Sequence, residues 1–137
     1  MSWGKSNKPS PIDSLIGAGS TIVGDVQFTG GLRIDGHIKG NIKAMGDKPG
    51  TLVLSELAKV EGEIDVGHVV INGTVAGPVR AKEYLELLSK ARVTGDVSYK
   101  TIEIHVGAIV MGRLMHEGEL KLSDKVIEFK PATGNQN

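Results

Sequence analysis

The chain has 137 residues, 16 acidic and 16 basic side chains, 19 glycines and no cysteine. Zero net charge argues against broad nucleic-acid binding, and the lack of cysteine fits a reducing compartment. Few aromatics beside abundant Ile and Val suit short β segments and tight turns; no apolar run is long enough to span a membrane and no secretory leader is expected.

Residues 1 to 12 read as a flexible N-terminal tail, because MSWGKSNKPSP is small, polar and proline-bearing. Met1, Trp3, Lys5 and Lys8 are its candidate membrane-binding residues. Trp3 is the only tryptophan, and no acidic residue precedes Asp13. Tryptophan favours the bilayer interface, and each lysine near anionic lipid contributes about 1 kcal/mol. That is too little to hold one molecule, but an array of copies gains by avidity. Ser2 excludes N-myristoylation. Gly4-Lys5-Ser6 looks like the end of a phosphate-binding loop but has neither its first glycine nor its strand, so no nucleotide site or other cofactor is expected.

Residues 13 to 130 form a single β domain. The pattern aliphatic-x-Gly-x-aliphatic occurs six times, centred on Gly24, Gly40, Gly62, Gly77, Gly95 and Gly112, at spacings of 16, 22, 15, 18 and 17 residues. Those intervals match one turn of a β-solenoid. A second stripe of alternating aliphatics runs in phase with it: Leu32/Ile34, Leu52/Leu54, Val69/Ile71, Leu85/Leu87 and Ile102/Ile104, with Leu120/Leu122 after the last glycine. Strict alternation buries one face of a strand. The residue after each glycine, Asp25, Asn41, Glu63, Pro78, Asp96 or Arg113, points outward, and the glycine itself suits a bulge or a close approach of stacked backbones. Two regular strand segments per coil with a less regular third predict a triangular β-helix of about six turns, roughly 30 Å long at an inter-strand spacing of about 4.8 Å. Met45 to Gly50 reads as a loop between the second and third turns. Ala81 to Arg92 is the best helix candidate, yet Leu85 and Leu87 keep the strand register. Residues 131 to 137, PATGNQN, read as a second flexible tail.

A solenoid has two open ends, and without polar caps such edges template association. No capping helix is visible in the sequence. Leu15, Ile16, Ile22 and Val26 at one end, and Leu120, Leu122, Ile127 and Phe129 at the other, are therefore the expected polymer interface. Two isologous joints would give a filament without polarity, and one heterologous joint a polar filament.

The search for chemistry is otherwise empty. His37, His68, His105 and His116 occupy different places relative to the motif glycines, so they do not stack into a ligand column, and no metal site is expected from them. Acidic residues fall on outward positions, and no Ser or Thr has a partner arrangement that suggests a nucleophile. Asn72-Gly-Thr74 matches a glycosylation acceptor without bearing on function. The chief alternative is an acyltransferase of the hexapeptide-repeat type, a trimeric β-helix; Val26, Leu32 and Ile38 show its six-residue spacing, but later turns do not sustain it.

The phrases GGLRIDGHIKGNI, KVEGEIDVGHVVINGTVAGPV and KARVTGDVSYKTIEIHVGAIVMGRL resemble the central domain of the bactofilins, bacterial polymer-forming cytoskeletal proteins. The resemblance covers roughly residues 13 to 129. It implies a right-handed, single-stranded β-helix that is no enzyme and assembles without nucleotide into non-polar filaments, joined head to head and tail to tail. It further implies a cytoplasmic scaffold on the inner membrane face that recruits cell-wall synthesis or remodelling proteins and so bears on cell shape. Bactofilins often begin Met-Phe-x-Lys; here Met1-Ser2-Trp3-Gly4-Lys5 places the aromatic one residue later.

Overall fold

The computed structural model describes residues 8–118. Sixteen short strands wind through six coils, every pairing between them is parallel, and no helix occurs among the described residues. The first coil contains β1 (Ile12–Ile16), β2 (Thr21–Val23) and β3 (Val26–Phe28); the second contains β4 (Gly31–Ile34), β5 (His37–Lys39) and β6 (Ile42–Ala44). The third runs through β7 (Thr51–Leu54), β8 (Lys59–Glu61) and the start of β9 (Ile64–Ile71). The fourth takes the rest of β9, then β10 (Thr74–Ala76) and the start of β11 (Val79–Leu87). The fifth takes the rest of β11, then β12 (Arg92–Thr94) and β13 (Val97–Tyr99); the sixth holds β14 (Ile102–Ile104), β15 (Ile109–Met111) and β16 (Leu114–His116).

Three faces result, each a stack of one strand segment per coil. The first face carries β1, β4, β7, the ends of β9 and β11, and β14. The second carries β2, β5, β8, β10, β12 and β15. The third carries β3, β6, the starts of β9 and β11, β13 and β16. The β-solenoid of six turns is as the sequence predicts, and residues 79–87 are strand as the Leu85/Leu87 register requires.

Register turns the repeats into columns. Ile22, Ile38, Val60, Val75, Val93 and Val110 lie directly above one another on the second face. Ile16, Ile34, Leu54, Ile71, Leu87 and Ile104 do so on the first. Because side chains alternate at period 2, these columns meet inside the prism. From Leu32 to Val97, twenty apolar side chains are buried in one continuous core. Each large one stabilises the fold by about 1.5–3 kcal/mol relative to exposure. The six-residue spacing of Val26, Leu32 and Ile38 also has a meaning, since these residues lie on three successive faces. It fails later because the connections vary in length.

Those connections explain the uneven glycine spacing. Between the first and second faces the chain uses only Asp35-Gly36 or Asn72-Gly73 in coils two and four, but four residues in the others. The 22-residue interval has one such longer corner plus the 45–50 loop, which lies between β6 and β7 as expected. The motif glycines turn the corner from the second to the third face. A Cβ on Gly62 would strike the carbonyl oxygen of Gly40 one coil away, and the same collision awaits Gly40 on Gly24, Gly77 on Gly62, and Gly112 on Gly95. Close backbone approach, one of the two readings open from sequence, thus accounts for the repeat.

The residues after these glycines form a ladder of their own. Asp25 Oδ1 accepts the N–H of Asn41 at 2.9 Å, and Asn41 Oδ1 accepts that of Glu63 at 2.8 Å. Asp96 Oδ1 likewise accepts the N–H of Arg113 at 3.0 Å. Pro78 interrupts the ladder because proline has no N–H to donate and no side-chain acceptor to offer.

Candidate assembly surfaces

The ends of the prism differ from its middle in bonding as well as burial. A middle strand such as β8 is paired on both sides, to β5 and β10. Among the described residues, β1, β2 and β3 pair only toward coil two, and β14, β15 and β16 only toward coil five. Each end therefore presents, among the described residues, three short strands paired on one side only, the geometry that accepts another strand.

Apolar side chains accompany those edges. In coil one, Ile16, Ile22, Val26 and Phe28 are only half-buried and pack against the core. In coil six, Ile102 and Val110 are half-buried, while Ile104 and Leu114 are 48% and 46% exposed. Their column-mates one or more coils inward, Leu87 and Val97, are fully enclosed. Of the residues expected at the first end, the structure brings Ile16, Ile22 and Val26 together. It does not bring Leu15 there: Leu15 is registered with Arg33 on the outer side of β1 and is 62% exposed. Phe28 completes this end, and sequence reading missed it because its column, Phe28, Ala44, Val66, Ala81, Tyr99 and His116, mixes large, small and polar side chains. Leu120, Leu122, Ile127 and Phe129 lie outside the described residues, as do Met1, Trp3 and Lys5.

Lys8 is exposed at the start of the described chain. Ser10, within the expected tail, donates its N–H to Thr51 Oγ1 at 2.8 Å and its hydroxyl to the Pro49 carbonyl at 3.0 Å. The segment leading into β1 thus lies against the 45–50 loop. That loop overhangs an open cleft of about 260 Å³ lined by Asp47, Lys48, Asp65, Lys82 and Glu83 among others. No histidine, hydroxyl or thiol lines it, so it lacks the parts of a nucleophile–base pair.

The four histidines have distinct surroundings and do not stack on one another. His68 is buried on the first face between Thr51 and Tyr84. His116 meets the Tyr99 ring edge-on, with centroids 6.0 Å apart. His37 Nε2 bonds the Glu61 carboxylate, and this bond holds the Glu61 carboxyl below its usual range. His105 Nε2 lies 2.8 Å from Glu86 Oε2 and 3.2 Å from Glu103 Oε2. The Tyr84 hydroxyl donates to Glu103 Oε1 at 2.7 Å, and that bond, with burial and the Glu86 charge, pushes the phenol up to about 12. Sequence spacing hides these groupings, because partners 19 to 24 residues apart meet only once the coil lengths are known. On the corner ladder, the Arg113 guanidinium bonds Asp96 Oδ2 at 2.9 Å and lowers that carboxyl.

Comparison with known proteins decides what such a prism belongs to. The family model for bactofilin, described as polymer-forming cytoskeletal, matches residues 14–115. The chain belongs to the bactofilin family. It is 30% identical over 102 residues to bactofilin BacO of Myxococcus xanthus, covering 74% of this chain and 78% of that protein. Bactofilin BacP of the same organism is 24% identical over 102 residues, which is 74% of this chain and 41% of BacP. No solved structure matches significantly. As a bactofilin, the chain is a member of a polymer-forming cytoskeletal family. Among the described residues no helix is long and apolar enough to cross a membrane.

Proposed function

We propose that this bactofilin is a non-catalytic scaffold whose copies stack end to end into filaments without nucleotide. The observation that carries the reading is that, among the described residues, the outer coils pair on one side only and carry half-buried aliphatics where the middle coils are sealed. Joining two ends would bury those side chains and satisfy the free backbone edges together. Pairing of like ends, hence filaments without polarity, follows if each end is self-complementary about a two-fold axis.

The filaments lie on the cytoplasmic face of the inner membrane in this reading, held by Met1, Trp3, Lys5 and Lys8. One tail binds weakly, and the polymer supplies avidity. The lateral faces then present a repeated surface to cell-wall or cell-shape proteins. High-speed sedimentation of the purified chain, without nucleotide or metal, tests assembly; pelleting supports it, and a monomer in the supernatant at all concentrations overturns it. Deleting residues 2 to 8 should leave pelleting intact and abolish co-flotation with anionic liposomes. Unchanged flotation would remove the membrane assignment.

A further inference from the structure

Glu86 and Glu103 stand directly opposite each other on the paired strands β11 and β14. They are the one in-register pair of carboxylates among the described strand pairings. Like charges placed this way destabilise a sheet unless something positive lies between them. Here both carboxylates turn one oxygen toward the same point, the Nε2 of His105. The three donor atoms lie within 4.8 Å of one another.

We propose that Glu86, Glu103 and His105 form a binding site for a divalent transition-metal ion of the zinc type. One imidazole and two carboxylates are a borderline-to-hard donor set that such ions accept. Bonds of about 2.0–2.1 Å at tetrahedral angles set ligand atoms roughly 3.3 Å apart. The observed separations of 2.8 and 3.2 Å need only a small opening to admit the ion. Tyr84 acts as a positioning residue, since its hydroxyl holds Glu103 Oε1 and leaves Oε2 to face the imidazole; outer partners of this kind orient metal ligands.

His37 and Glu61 provide the contrast within the same fold. That pair has one carboxylate, and the charges acting on it are those of Lys39 and Lys59, which repel a metal cation. The Glu86–Glu103–His105 site sits on the lateral surface and takes ligands from coils five and six. A bound ion therefore staples the sixth coil to the fifth and keeps a coordination position open to water or to a donor from another molecule.

Equilibrium dialysis of the untagged, full chain against zinc chloride tests the site. The expected result is one saturable equivalent per chain, weakened at least tenfold in His105→Ala and in Glu103→Gln, with His37→Ala unchanged. Cobalt(II) gives a second readout: d–d absorption bands in the parent chain and none in His105→Ala. Zinc should raise the melting temperature of the parent and leave that of His105→Ala where it was. No saturable binding, binding retained in His105→Ala, or equal loss in His37→Ala would overturn the assignment and leave His105 as the counter-charge of two glutamates. All three variants change exposed or half-exposed side chains, and circular dichroism confirms that each is folded.

Discussion

Coils two to five and coils one and six follow the same motif, yet they differ in how far they enclose it. Among the described residues, every fully enclosed apolar side chain lies in the middle four coils, from Leu32 to Val97. The equivalent positions in the outer coils are less enclosed: Ile16, Ile22 and Val26 at one end and Ile102 and Val110 at the other are half-buried, and Leu114 is exposed. A repeat buries its apolar face only against a neighbour, so the last copy at each end keeps the demand that the inner copies have met. In the proposed reading, stability belongs to the middle and association to the ends.

The glycine column gives the largest test of that contrast. Gly62→Ala should destabilise by about 4 kcal/mol or more, because its Cβ meets the Gly40 backbone, which cannot move without shifting a whole coil. Gly24→Ala occupies the same motif position in coil one, where a Cβ meets nothing within 4 Å. Only the strain of its φ of 134° remains, and the cost should be about 1–2 kcal/mol. Urea unfolding of the two variants measures the difference; equal losses would mean that the outer coil is as constrained as the inner ones.

Core truncations should follow the same order with smaller steps. Leu54→Ala removes a fully enclosed side chain and should cost about 2–5 kcal/mol, whereas Ile22→Ala at the open end should cost about 1–2 kcal/mol in the unassembled chain. Asn41→Ala, which deprives the Glu63 N–H of its acceptor on the corner ladder, should cost about 1 kcal/mol. The smallest effect is electrostatic. The folded state holds the Glu61 carboxyl below its ordinary range through His37, so its contribution is present above that range and fades as pH falls through the lowered value. His37→Ala should therefore lower stability slightly near neutrality, leave it unchanged at the acid extreme where Glu61 is protonated, and so flatten the acid limb of the stability profile. A loss confined to acid pH, with none near neutrality, would contradict the assignment.

The middle coils were legible in sequence because their columns are chemically uniform. Ile38, Val60, Val75 and Val93 repeat one β-branched type at one register position, and glycine repeats wherever a Cβ would strike the next backbone. Leu85 and Leu87 settled strand over helix for the same reason. What stayed hidden depends on coil lengths that no local pattern reveals. Phe28 belongs to an end but shares a column with Ala44 and Val66, and Leu15 turns outward because its neighbour Ile16 is the residue registered with Ile34 in the core column. The grouping of Glu86, Glu103 and His105 needs both the extended β11 and its pairing with β14.

Electron microscopy of negatively stained protein tests the central claim most directly, comparing the parent chain with Val26→Arg without nucleotide. Val26 is half-buried at the open edge of coil one, and burying an unpaired charge at a joint is costly. The account predicts filaments a few nanometres wide from the parent chain, and from the variant no more than pairs joined at the other end, with circular dichroism confirming that the variant is folded. Single small particles from the parent, or long filaments from Val26→Arg, would contradict it.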